Sequence, residues 1–170
     1  MLLDFRAATQ HDLALLTSWT LALHQHEKQS ALFPQLELQV NANFPELVQQ
    51  WLAELIEHQH TLIMLAEQDQ QPVGMIFGYI TPQPNNFTPY PCHGVIQTIW
   101  VDPVHRRKGI AQQLVKGMET CMLDNNVPYI EIQYLPGNQE AELFWQQQGY
   151  LPAHTTSRKF LTPLQEVKQG

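Results

Sequence analysis

The stretch Val101-Asp102-Pro103-Val104-His105-Arg106-Arg107-Lys108-Gly109-Ile110-Ala111 constrains this chain more than any other. A β-branched run halts at Asp-Pro, and a cationic turn with one glycine opens an amphipathic helix. A helix N-terminus presents N–H groups without intrahelical partners and about half a positive charge, so an anion placed there meets donors and a favourable dipole together. Gly109 removes the Cβ that would hold a phosphate off, and Ala111 keeps the next turn thin. The chain has 9 Lys+Arg against 16 Asp+Glu, yet Arg106, Arg107 and Lys108 are consecutive and no Lys or Arg occurs between Lys28 and Arg106. Positive charge is concentrated at one turn.

The flanks separate a phosphate site from an ordinary solvated basic loop. Upstream, residues 94–101 form a β-rich run; downstream, Leu114, Val115, Met118, Cys121 and Met122 fall at helical spacing. After Asn125-Asn126 and Pro128, residues 129–134 alternate as a strand covered on one face would. Asn138 then opens a helix with Ala141, Phe144 and Trp145 on its apolar face, closed by Gly149 at the C′ position and followed by Tyr150.

Nearer the N-terminus, Thr9-Gln10-His11-Asp12 resembles a capping arrangement before a helix carrying Leu13, Leu16 and Leu23. Phe44-Pro45-Glu46 announces a second helix, whose Leu47, Val48, Trp51, Leu52, Leu55 and Ile56 recur at i, i+4. Residues 61–66 and 73–80 predict a hairpin joined through 67–72, and Pro82, Pro84, Pro89 and Pro91 predict a long loop after it. At 170 residues the chain fits one compact domain spanning 1–170. Its apolar runs are far shorter than the roughly eighteen residues of a membrane span, so no membrane partner is expected. The opening Met1-Leu2-Leu3-Asp4-Phe5-Arg6 lacks the basic start and long apolar centre of a secretory signal, so cytoplasm is the expected compartment. Cys92 and Cys121 do not suggest a disulfide framework. A net charge of −7 argues against a nucleic-acid partner, which needs a spread basic face.

The order strand, V-D-P, R-x-x-G-x-A, helix, strand, N-x-x-A-x-x-F-W-x-x-x-G-Y, read over residues 96–150, resembles the GCN5-related N-acetyltransferase (GNAT) superfamily, which binds acetyl-coenzyme A. Residues 2–9 look like the family's first strand leading into its first helix, and 62–80 like its second and third strands; 23–44 match no feature of it. The resemblance implies an α/β fold with a mixed, mostly antiparallel splayed sheet, flanked by helices on both faces and holding acetyl-CoA in the splay. It assigns the pyrophosphate to backbone N–H groups of Arg107, Lys108, Gly109, Ile110 and Ala111, with Arg106 supporting the turn. It assigns the pantetheine arm to main-chain pairing along Ile99, Trp100 and Val101, and a side-chain contact to Asn138, which reads equally as a plain helix N-cap.

Amine acetylation also requires an amine without its proton. An alkylamine with a pKa near 10 pays about 4 kcal/mol for its neutral form at pH 7. Family members often carry Glu or His on the motif strand where this chain has Val95 and Gln97, neither of which takes a proton. His93, of the same strand parity, is then the expected base acting through a water; a loop histidine that is merely exposed is the plain alternative. The tyrosine that many members use to reprotonate the leaving thiolate falls at Trp145. Tyr134 is the expected substitute, with a half-buried strand residue as its plain reading. His24, His26, Glu27, Phe33 and Phe44 are expected on the acceptor side, together with Gln97, because the family's first helices help line that site. His24-Gln25-His26 and His58-Gln59-His60 alternate in a way that does not converge on a helix, so no metal is expected.

The expected activity is transfer of an acetyl group from acetyl-CoA to a primary amine of a small molecule or peptide, by direct attack in a ternary complex. The alternative, raised by the absent base and acid, is a non-catalytic acyl-CoA-binding module. A nucleotide-binding protein is disfavoured because G-x-x-x-x-G-K-[ST] and G-x-G-x-x-G are both missing. A homodimer is left open.

Overall fold

The computed structural model describes residues 3–33 and 40–161. In chain order these form β1 (Asp4–Ala7), a 3-10 turn (Gln10–Asp12), α1 (Leu13–Ser30), α2 (Phe44–Glu57), β2 (Thr61–Gln68), β3 (Gln71–Pro82) and β4 (Cys92–Val101). A second 3-10 turn (Pro103–His105), α3 (Ile110–Asp124), β5 (Ile130–Ile132) and α4 (Gln139–Gln147) follow. The strands lie in the order β1-β2-β3-β4-β5, all antiparallel except β5, which runs parallel to β4. This is the mixed, mostly antiparallel sheet that the sequence leads one to expect; Leu2, included in the expected first strand, lies outside the described residues.

Alternation along the strands sends side chains to two helical layers. Ile63, Leu65, Met75 and Phe77 pack with Leu16 and Trp19 of α1 and Val48 and Leu52 of α2. Met64, Ala66 and Ile76 pack on the other face with Leu114, Val115 and Met118 of α3 and with Trp145 of α4. Because both faces are covered, β2 reads as a continuous apolar run. α3 sits close to the sheet because glycines lie beneath it: a Cβ at Gly78 would come within 3.0 Å of Met118 Sδ, and one at Gly94 within 2.9 Å of Met122 Sδ.

The β2–β3 connection is tighter than the six-residue join suggests. Asp69 and Gln70 both take left-handed backbone (φ 52 and 63), and Gln68 pairs with Gln71. Two such residues give a turn whose twist matches the flanking strands, which lengthens both. The opposite happens at β5: alternation predicts a strand over 129–134, but only Ile130, Glu131 and Ile132 pair with β4.

α4 ends as the glycine predicts. Gly149 (φ 89) donates its N–H to Gln146 O and Tyr150 donates to Trp145 O, both at 3.0 Å, which satisfies two orphan carbonyls. At the chain's other end, Arg6 donates to both carboxylate oxygens of Asp12 (2.8 and 2.9 Å) and to Glu67 (2.8 Å). The side chain of Asp12 also accepts from the Thr9 N–H and hydroxyl. That pins β1 and the start of α1 to β2.

Candidate active site

The shortness of β5 opens the sheet. Along β4, Thr98 pairs with Phe77 and Ile96 with Gly78, so Gln97 is an unpaired bulge residue. β5 pairs with β4 only from Gly94 to Ile96. Beyond that point β4 is bonded to β3 alone, and its other edge borders a cleft of about 690 Å³. Ile99, Trp100 and Val101, to which the resemblance assigns the pantetheine arm, line this cleft.

At the end of β4, the Asp102 side chain accepts the Val104 N–H and starts the short turn. Arg106 folds back: its Nε donates to Val101 O at 3.1 Å, and its guanidinium lies 4.7 Å over the Trp100 ring. Arg107 (φ 61) and Gly109 (φ 77) adopt left-handed backbone, and α3 begins with no side-chain cap on its first N–H groups. A Cβ placed on Gly109 would meet no atom within 4 Å beyond its own chain neighbours. That space is where an anion can approach the helix end. Arg106, Arg107, Gly109, Ile110 and Ala111 line the cleft; Lys108 does not, and its Nζ donates to Val104 O. Arg107 reaches across to Glu140 on α4 (3.2 Å), with both side chains mostly exposed.

Three side-chain polar atoms among the described residues are buried without a hydrogen-bond partner, and two of them, Trp100 Nε1 and His105 Nδ1, belong to residues lining the cleft. A buried polar atom without a partner costs about 1–3 kcal/mol.

The opposite wall holds Tyr134, Asn138 and Trp145. Asn138 caps α4, its Oδ1 accepting the Ala141 N–H at 3.1 Å. Trp145 is buried and stands edge-on to Tyr150. The Tyr150 hydroxyl donates to Glu119, and burial followed by that carboxylate's charge holds it above the ordinary tyrosine range. The third wall is the last turns of α1, with Leu23, His26 and Glu27 at i, i+3, i+4. Leu32 donates its N–H to Pro136 O at 3.0 Å and packs where a Cβ on Gly137 would stand, which ties α1 to the segment before α4. Burial pushes the Glu27 carboxyl above the usual carboxylate range.

Other expected site residues lie elsewhere. His93 lines neither cavity described here; its ring stacks on Tyr129, its Nδ1 faces the Gln83 amide at 3.2 Å, and its Nε2 lies 3.8 Å from Glu131. His24 packs against Phe44 instead of entering the cleft, and burial followed by the charge of Lys28 holds it below the usual histidine range. Phe33 is exposed and outside both cavities.

Sequence reasoning missed a second cavity, of about 340 Å³, on the α2 side of the sheet. Trp51 and Leu55 of α2, Phe77 and Tyr79 of β3, and Gln97 are among its walls. Helical periodicity marks Trp51 and Leu55 only as core. Gln97 lines both cavities, so the two lie against the same bulge residue. Among the described residues no helix is long and apolar enough to cross a membrane, and no three His, Cys, Asp or Glu side chains gather as a metal would need.

No curated protein sequence matches the chain. Solved structures do. A tetramutant of the BH1408 protein from Bacillus halodurans has a TM-score of 0.80 at 16% identity, covering 93% of this chain and 99% of that one. The GCN5-related N-acetyltransferase from Ralstonia eutropha JMP134 has 0.76 at 18% identity, covering 94% and 99%. A predicted acetyltransferase with acetyl-CoA from Clostridium acetobutylicum has 0.74 at 15% identity, covering 94% and 97%. At such identities these are likenesses of fold. The sequence signature described as "Acetyltransferase (GNAT) family" matches residues 21–150. The chain therefore belongs to the acetyltransferase (GNAT) family.

Proposed function

We propose that this acetyl-CoA-dependent N-acetyltransferase moves the acetyl group to a primary amine of a small molecule or peptide, by direct attack within a ternary complex. The observation that carries the reading is the cleft itself: the unpaired edge of β4, the bulge at Gln97 and the uncapped start of α3 at Gly109 border one space. In this reading, main-chain N–H groups from Arg107 to Ala111 hold the pyrophosphate, with Arg106 bracing the turn against Trp100. The free edge from Ile99 to Val101 pairs with the pantetheine amides, and Asn138 closes the other side. Acetyl-CoA supplies an activated thioester, so the transfer as written needs no metal ion.

The net reaction forms a C–N bond, breaks the C–S bond and moves one proton from amine to thiol. Val95 and Gln97 cannot accept the proton. Glu27 can: it borders the cleft, and a raised carboxyl pKa brings it closer to the amine's. Tyr134, on the opposite wall, is assigned return of a proton to the thiolate. His93 is assigned no step, because it borders neither cavity and its ring nitrogens face Gln83 and Glu131.

One observation favours the non-catalytic reading: a buried Trp145 where many relatives hold an acid. The test is thiol release from acetyl-CoA across an amine panel with a no-acceptor control, beside calorimetry with CoA. CoA at about one hundred times its Kd should add roughly 2.7 kcal/mol of stability. Binding without release for any amine would establish the binding module; no binding would remove both readings.

A further inference from the structure

The cavity on the α2 side has the chemistry of an acceptor subsite. Trp51 stands edge-on to Phe77 at 5.6 Å, and Phe77 lies 5.9 Å from Tyr79, so three rings face one space with Leu55 and Ile80 beside them. Trp51 remains 38% exposed although it stands against the buried Phe77, so part of this side chain is left uncovered by the protein. A volume of about 340 Å³ lies at the small end of the range for ligand sites, roughly 300–1,000 Å³. Its polar groups are few and largely used within the protein: Thr61 donates to Leu55 O, and His58 Nδ1 accepts the His60 N–H.

Its described walls include no Asp, Glu, Lys or Arg. The chain's excess of carboxylates is therefore not spent here. A polyamine or an aminosugar polycation would bury several charges with no countercharge, which is costly. An amine with one basic nitrogen and a flat apolar body loses only its own ammonium hydration, and that loss favours the neutral form that attacks. Gln97 borders both the cavity and the cleft, so a body seated among the rings lies one side chain away from the cleft and needs only a short aminoalkyl arm past Gln97 to approach the place where the thioester would lie.

We propose that this cavity is the acceptor subsite and that it takes an arylalkyl monoamine rather than a polycation. The inference rests on the acetyl-transfer reading of the neighbouring cleft. Transfer then forms the amide C–N bond at the arm's nitrogen, breaks the thioester C–S bond, and leaves the amine's proton to the enzyme or water and the thiol as product.

The experiment compares 2-phenylethylamine and tryptamine with spermidine and kanamycin. Binding to the CoA-loaded protein is measured by calorimetry, and thiol release is followed with acetyl-CoA. The arylalkylamines should bind saturably and be acetylated, and Trp51→Leu should raise their KM about tenfold with kcat changed less. Thermal melts verify folding, and Tyr79→Leu gives a second variant from another element. Trp51-dependent binding of 2-phenylethylamine without thiol release would keep the subsite and overturn the transfer reading. Acetylation of spermidine or kanamycin with no saturable 2-phenylethylamine binding would keep the transfer reading and overturn the subsite. So would an unchanged KM for 2-phenylethylamine in both folded variants.

Discussion

Arg106 lays its guanidinium 4.7 Å over the indole of Trp100 while its Nε donates to Val101 O, so a cation in the sequence motif is spent on holding the turn against the end of β4. The neighbouring cations are exposed, and Lys108 turns back to its own loop. Arg106→Ala should therefore weaken CoA about tenfold, through a loosened turn and a lost contact of roughly 1 kcal/mol or more. Arg107→Ala and Lys108→Ala should each cost less than about threefold, since the main-chain donors survive. Calorimetric titration of CoA against the three variants checks the ranking.

Gly109→Val acts twice. The residue sits at φ 77, where a β-branched side chain is strained by at least about 1–2 kcal/mol, and its side chain would fill the approach to the first N–H groups of α3. Beyond its chain neighbours no atom stands within 4 Å of the new Cβ, so folding should survive with a lowered Tm while CoA binding is lost. A variant that binds CoA like the parent would end the phosphate assignment.

Acid should unlock the N-terminal clamp. Arg6 and then the Thr9 hydrogen bonds hold the Asp12 carboxyl at about 2, below its ordinary 3.8, against an opposing push from burial. A depressed folded-state pKa stabilises the fold above the unfolded value, and the contribution is lost as pH falls from about 4 through about 2. The shift corresponds to about 2 kcal/mol, and nearer 1 once the partial exposure of Arg6 is allowed for. Tm measured from pH 5 to pH 2 should fall less steeply in Asp12→Asn than in the parent.

Proton removal by Glu27 has a pH signature. The residue must be ionised to act and its carboxyl is raised by burial, so kcat/KM should climb with pH through that raised value before the amine's own titration takes over. Glu27→Gln should lower kcat/KM by about 10²-fold and remove the lower limb of the profile. His93→Ala should leave the profile in place. Tyr134→Phe should lower kcat with acetyl-CoA binding kept.

Residues 96–150 were legible because their signals are local. A helix that starts at a glycine with φ 77 and one that ends in a glycine with φ 89 are written in single residues, and alternation and helical spacing place the strands and faces around them. The main-chain side of the cofactor assignment is what the family resemblance carried by that local pattern implies. The bulge at Gln97, the early end of β5, the Leu32–Pro136 tie and the aromatic cavity were decided only in three dimensions. Each depends on which distant backbone a strand edge meets or leaves unmet, and periodicity records burial without naming the neighbour. His93 shows the same limit: strand parity put it on the face of Val95 and Gln97, but Gln83, Tyr129 and Glu131, brought from other segments, surround its ring. Trp51 shows the reverse, an apolar helix position whose uncovered surface exists only because β3 sets Phe77 and Tyr79 beside it. Local chemistry fixed the turns and the faces, whereas long-range pairing decided where the sheet opens and which side chains share the space.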